Sequence, residues 1–260
     1  MPYFEHLGAE LYYEDVGQGR PLIFLHGYTL DGRQWKREVE HFSSNYRVVT
    51  LDARGHGKST LPPGEVSPDL FWQDVVALMD HLGIPSAVFC GLSMGSHVGI
   101  QVAIHAGERV EGLILIGAIY TNSFNRFEKI VAPINHFCCS LMPMSWIAWS
   151  MTVGMGKFNR AARPYIYETV CNINHDVFNR VWRSVLNMES GDRLSSITCP
   201  TLILWGDHDW FTGRQQQSLH EGIKGSRLVT IKNAHHTTTF DNPEQIEQEI
   251  EGFLQEIGMG

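Results

Sequence analysis

Residues 87–95 read Ala-Val-Phe-Cys-Gly-Leu-Ser-Met-Gly, a short apolar run that passes straight into Gly91-Leu92-Ser93-Met94-Gly95. Behind a buried strand, a G-x-S-x-G is the pattern by which the chain turns sharply into a helix with a serine at the apex. Such a turn lifts the hydroxyl clear of the backbone, over the N-terminus of the following helix. The glycines on either side have a steric reason, because a side chain at either position would collide with the strained turn. Only folds in which a buried strand feeds a helix can use this arrangement. The pentapeptide alone arises by chance in roughly one chain in ten of this size, so its weight comes from its surroundings.

Those surroundings repeat the strand-to-helix theme. Residues 10–16, followed by Gly-Gln-Gly, read as an edge strand and a turn. Residues 21–25, 46–51, 87–90 and 112–116 are aliphatic and β-branched without alternation, as expected of parallel strands covered on both faces. Helical patterns lie between them at 35–42, 70–82 and 94–105. Two further strands are expected at 201–205 and 227–231, and Pro243 opens a closing amphipathic helix to residue 257. The fold class that follows is α/β, a doubly wound, mostly parallel sheet.

The alternation stops between about Asn122 and Ser195, where Met142, Met144, Trp146, Trp149, Met151, Met155 and Phe158 accumulate. We read residues 1–121 and 196–260 as the core and residues 122–195 as a helical cap. Plain core is the competing reading of this segment; in the cap reading its Met and Trp side chains face an apolar ligand. Residues 130–156 contain no Asp, Glu, Lys or Arg and are long enough to span a bilayer. Pro133, Pro143, Asn135 and His136 interrupt them, so a buried or pocket-lining helical pair is expected and no membrane span.

Composition excludes other classes of function. The net charge of −8 over 260 residues offers no basic cluster for a nucleic-acid backbone. The five cysteines include the vicinal pair Cys138 and Cys139 and form no disulfide framework, which points to reduced thiols and a cytoplasmic protein. The first residues show no basic and apolar leader. No His/Cys spacing suited to a metal is read, so neither metal nor organic cofactor is expected.

A serine hydroxyl is a poor nucleophile without a base, and the base needs an orienting group. Thirteen histidines leave many choices, but His235 and His236 stand in a loop after the last strand and just before the last helix. The acid is sought behind the strand at 201–205, in Gly206-Asp207-His208-Asp209-Trp210. Ser, then Asp, then His is the chain order this architecture requires. One donor for a developing oxyanion is expected to be the Met94 N–H, first in the helix after Ser93.

His26-Gly27, Asp52-Ala-Arg-Gly-His-Gly-Lys-Ser59, Gly91-Leu-Ser-Met-Gly95, Gly206-Asp-His-Asp209 and the block from His236 to Asp241-Asn-Pro243 stand in order, each motif at a strand end. In these the chain resembles the α/β-hydrolase superfamily, from about Tyr12 to Phe253, and within it the lid-bearing esterases, cofactor-free perhydrolases and carbon–carbon bond hydrolases. The resemblance implies Asp209 as the acid, three residues past Gly206, and His236 as the base. It also implies the N–H of Tyr28 as the second oxyanion donor. His235 stands where the family usually has Gly, and Ser96 where many members have a second Gly. Asp52, Arg54 and His56 are read as a glycine-rich turn closed by a buried Asp–Arg contact.

The expected function is a serine hydrolase that cleaves a small-to-medium ester, lactone or thioester with an apolar acyl part, through an acyl-enzyme on Ser93. The substrate is its one expected partner. Tyr28, Leu30, Trp146 and Trp210 are the expected substrate contacts, with Met94, Tyr120 and Trp149 as further candidates for the pocket wall. Two alternatives stand beside this reading. One is hydrolysis of a carbon–carbon bond in a diketone, which Thr237 disfavours, since the members of that group that resemble this chain often have an aromatic residue there. The other is a receptor that keeps the three residues and turns over slowly.

Overall fold

Strands with no polar face need cover on both sides, and the central strands of this protein have it. The computed structural model describes residues 2–259, apart from the side chains of residues 126–128 and 132. The described residues form one eight-stranded sheet from β1 (Tyr3–His6), β2 (Ala9–Val16), β3 (Pro21–Leu25), β4 (Arg47–Leu51), β5 (Ala87–Leu92), β6 (Val110–Ile116), β7 (Thr201–Gly206) and β8 (Arg227–Ile231). Their spatial order is β1-β2-β4-β3-β5-β6-β7-β8. β1 and β2 form an antiparallel hairpin, β2 runs antiparallel to β4, and all other neighbours are parallel.

Alternate residues of each strand go to opposite layers. Ile23, Val49, Phe89 and Leu113 pack against α2 (Asp69–His81), α3 (Met94–His105) and α8 (Gly213–Gly222) through Leu78, Val98, Val102 and Leu219. Leu22, Phe24, Val48, Val88 and Ile114 pack against α1 (Lys36–Phe42) and the closing helix α9 (Pro243–Glu256) through Phe42, Ile250, Phe253 and Leu254. Each such side chain, once fully buried, contributes about 1.5–3 kcal/mol of transfer free energy.

Between β6 and β7 come α4 (Arg126–Leu141), α5 (Met144–Met155), α6 (Arg163–Asn172) and α7 (His175–Leu186). Ile147, Ala148, Val170, Ile173 and Phe178 give these helices a cluster of their own. The neck is closed where the segment leaves and rejoins the sheet. Thr121 bridges Glu189, the Thr121 hydroxyl donates to the Glu189 carboxylate at 2.6 Å, and the Ser190 N–H donates to the Tyr120 carbonyl at 2.9 Å. No helix among the described residues is long and apolar enough to cross a membrane.

Three features depart from the sequence reading. β1 was not expected; it is held by a two-residue turn in which Leu7 and Gly8 both have positive φ, and leucine gives no signal for that conformation. α8 reads as polar, because Gln215 and Gln216 are buried through hydrogen bonds and not through apolar contact. Within the turn after β4, Asp52 accepts the N–H groups of Gly32 and Lys58 at 2.7 and 2.8 Å. The buried partner of Arg54 is therefore not Asp52 but Asp74 of α2, at 2.6 Å from Nε. His56 fits the structural reading: burial lowers its pKa to about 3, so it is a neutral ring packed edge-on against Tyr28.

Candidate active site

Ser93 closes β5 and caps α3 with φ +52° and ψ −109°, a conformation in which a non-glycine residue is strained by about 1–3 kcal/mol. Its neighbours make the turn possible. A Cβ on Gly91 would lie 2.3 Å from the carbonyl carbon of Gly95, and one on Gly95 would lie 2.0 Å from the Leu25 carbonyl oxygen. The Ser93 N–H donates to the Ile116 carbonyl at 2.9 Å. Ser96 has a task below the turn: its hydroxyl donates to the Gly91 carbonyl at 2.6 Å and accepts the Ile116 N–H at 3.0 Å. The Met94 N–H is the first of α3, one of the four that a helix leaves without an acceptor of its own.

Asp209 follows β7 and His236 follows β8, and the two meet with Asp209 Oδ2 at 3.0 Å from His236 Nδ1. Asp207 is turned away, accepting the backbone N–H groups of Asn233 and Ala234 at 3.1 Å each. Asp209 also accepts the N–H groups of Phe211 and Thr212 and the Thr212 hydroxyl. Burial works to raise its pKa. The His236 charge and hydrogen bond and the Thr212 donors outweigh that effect and hold it down to about 2. An ionised carboxylate only accepts, so His236 Nδ1 carries the proton in this contact and Nε2 of the neutral ring keeps its lone pair.

The loop of His236 is fixed from several sides. Asp241 accepts the His235 N–H at 2.8 Å, and the Thr237 hydroxyl donates to the Met155 carbonyl at 2.7 Å. A Cβ on Gly206 would lie 2.3 Å from the Ala234 carbonyl oxygen. Gly117, just past β6 with φ +51°, has no side chain where one would lie 3.2 Å from His236 Nδ1. The sequence reading missed Gly117; a glycine directly behind a buried strand was its only signal.

A cavity of about 420 Å³ opens between the loops that follow β3, β5, β7 and β8 and the helices α4, α5 and α7. Ser93, His235, His236, Tyr28, Trp182, Trp210 and Phe211 line it, with Met151 and Met155 from α5. Tyr28 is fixed as a wall, its hydroxyl donating to the Phe178 carbonyl at 2.8 Å and its ring stacked on Trp182 at 4.9 Å; burial raises its pKa well above the ordinary value. The Tyr28 loop is itself anchored, because the Ala53 N–H donates to His26 Nε2 and the Gly27 N–H donates to Gln34 Oε1.

Two expected contacts lie elsewhere. Leu30 is 1% exposed and packs under the sheet with Phe24 and Trp35, because Thr29 at φ +66° turns the chain away from the cavity. Trp146 and Trp149 of α5 are 65% and 63% exposed on the outer side of the cap and do not line the cavity. Tyr120 is buried at the neck of the cap, and the Met94 side chain lies beneath the turn against Leu25 and Val98. Trp210 lines the cavity while 75% exposed. Among the described residues no group of three or more His, Cys, Asp or Glu side chains could hold a metal ion.

The chain belongs to the alpha/beta hydrolase family, whose model matches residues 22–249. It is an enzyme of the hydrolase type. It is 42% identical over 256 residues to 3-oxoadipate enol-lactonase 2 of Acinetobacter baylyi, covering 94% of this chain and 93% of that relative. Among solved structures, an enol-lactonase from Burkholderia xenovorans LB400 superposes with a TM-score of 0.89 at 23% identity, over 98% of this chain and all (100%) of the other. A thermophilic esterase from Thermogutta terrifontis, solved with malate bound, gives 0.88 at 26% identity, over 98% and 97% of the two chains.

Two outcomes follow. Gly117→Ala should push the His236 ring aside and lower kcat on an activated ester about 10–100-fold while the circular dichroism spectrum stays native. The Asp209 pKa of about 2 lies below the 3.8 of a free carboxyl. Its ionised form therefore contributes stability in full above pH 3.8, about 2 kcal/mol, and that stability is lost as pH falls through about 2. In urea titrations across this range, Asp209→Asn should flatten that part of the stability curve.

Proposed function

We propose that this enzyme hydrolyses a small lactone or ester through an acyl-enzyme on Ser93, with an enol-lactone of a dicarboxylic acid as the favoured substrate. The observation that carries this reading is the meeting of Asp209 with His236 beside the cavity that the strained Ser93 also lines. His236 Nε2 takes the Ser93 proton as Oγ attacks the carbonyl carbon, and the imidazolium that forms is held by the Asp209 carboxylate. The N–H groups of Met94 and Tyr28 receive the oxyanion, each worth about 3–4 kcal/mol in the transition state.

Collapse of the tetrahedral adduct breaks the bond from carbonyl carbon to ring oxygen. The enol oxygen leaves with the proton from His236, and the enol becomes a ketone. The opened chain stays attached as the Ser93 ester until water, deprotonated by His236, attacks the same carbon. The products are a keto acid and free enzyme, with one water consumed. No metal enters these steps.

The choice of a dicarboxylic enol-lactone is supported by the 42% identical relative, a 3-oxoadipate enol-lactonase, since adipate is a dicarboxylic acid. The thermophilic esterase was solved with malate bound, and malate too is a dicarboxylate. A cavity of about 420 Å³ falls within the range of small-ligand sites and suits a ring-opened product that does not leave until the second step. The test is steady-state hydrolysis of a carboxymethyl-substituted enol-lactone. Ser93→Ala should lose at least about 10³-fold in kcat and Asp209→Asn about 10⁴-fold. A Ser93→Ala protein with the rate of the wild type would overturn the reading.

A further inference from the structure

We propose that His235 recognises the substrate, its ring donating a hydrogen bond to a carbonyl or carboxylate oxygen that lies away from the carbon under attack. The enzyme then selects esters and lactones that carry such an oxygen over apolar ones of the same shape. This rests on hydrolysis at Ser93 as read above and adds the group that chooses among its substrates.

His235 lines the cavity at Ser93 while only 8% exposed, on the loop that also carries His236. Its backbone holds that loop in place. The N–H donates to the Asp241 carboxylate, and the carbonyl oxygen sits 2.5 Å from where Gly206 would carry a Cβ. The ring is committed to no such contact. Nδ1 is buried without a partner, and among the described residues neither ring nitrogen makes a hydrogen bond. The Asp209 carboxylate is close by but already accepts from His236, Phe211 and Thr212.

Packing does not account for a histidine here. The ring lies nearly parallel to Phe158 at 6.5 Å and edge-on to Trp210 at 6.4 Å. A phenyl ring would make both contacts without the cost of burying polar atoms that have no partner. The backbone does not ask for it either, since residue 235 is outside the positive-φ region and accepts any side chain. A polar ring that the fold does not use, in the wall of the cavity, is left for what enters the cavity.

The state of the ring says what it can offer. Burial holds it neutral; His236, Lys157 and His208 act in the same direction, and the opposing Asp209 charge does not prevail. A neutral imidazole has one donor and one acceptor nitrogen. With Nδ1 sealed off, Nε2 is the nitrogen that remains for a ligand. Carbonyl and carboxylate oxygens only accept, so the tautomer that serves carries its proton on Nε2. No Asp, Glu, Lys or Arg stands among the described residues that line this cavity. Away from such charges and from bulk water, one well-placed donor discriminates strongly, because a substrate without the oxygen leaves it unpaired.

The experiment compares three p-nitrophenyl esters of nearly one shape, each corrected for spontaneous hydrolysis. They are the apolar hexanoate, the 5-oxohexanoate, which carries a ketone, and the glutarate monoester, which ends in a carboxylate. The wild type should prefer the two oxygen-bearing esters to the hexanoate by about 3–10-fold in kcat/KM, mostly through KM. His235→Phe keeps the ring and removes its nitrogens, and it should bring both ratios near one. His235→Gln returns a donor and should restore part of the preference. A fall in one ratio alone would still support the proposal and name the oxygen that the ring reads. Wild-type ratios that persist in His235→Phe overturn it. If the variants fail to fold, the wild type decides, and equal or better turnover of the hexanoate overturns it. Ser93→Ala separates the two levels. Turnover that survives in that variant, or a wild type that hydrolyses none of the three, means that hydrolysis at Ser93 itself is wrong. If Ser93→Ala is inactive while His235→Phe leaves the ratios as they were, only the role of His235 falls.

Discussion

Helix α3 sits closer to strands β3 and β5 than any side chain would allow. The Cβ positions of Gly91 and Gly95 are occupied by backbone atoms, those of Gly95 itself and of Leu25. This contact forces the chain to reverse within one residue, and Ser93 takes the positive φ that the reversal demands. The strain there is offset by hydrogen bonds from the neighbouring strand end, with Ile116 accepting the Ser93 N–H and donating to the Ser96 hydroxyl. Everything else at the site is arranged around a serine whose position is set by backbone and not by its own side chain. Gly117 and Gly206 repeat the device, each leaving room for the His236 loop.

The helices between β6 and β7 take part in this arrangement. Met155 accepts the Thr237 hydroxyl, and the Asn159 side chain donates to the Phe240 carbonyl at 2.7 Å, so the loop of His236 is held by the sheet on one side and the cap on the other. The Tyr28 hydroxyl, bonded to the Phe178 carbonyl of α7, ties the opposite wall to the same helices. Movement of the cap would therefore change the shape of the cavity and the position of the histidine together.

Much of the sheet was legible because burial on both faces leaves apolar runs that nothing else explains, as in Leu22 to Leu25 and Leu113 to Ile116. Asp209 and His236 were reached by resemblance and spacing, and the structure brings the two together. What was not legible has physical reasons. α5 is apolar nearly all round, so its sequence does not say that Trp146 and Trp149 face outward while Met151 and Met155 face the cavity. Leu30 follows a residue of positive φ, and no side-chain pattern marks Thr29 for that role.

If Ser93 is an activated nucleophile, a fluorophosphonate labels it covalently, and mass spectrometry of the modified peptide locates the label. A single modification is expected, on Ser93, and it is lost in His236→Ala. Folded wild-type protein that takes up no label, or takes it up equally without His236, would mean that His236 does not activate Ser93.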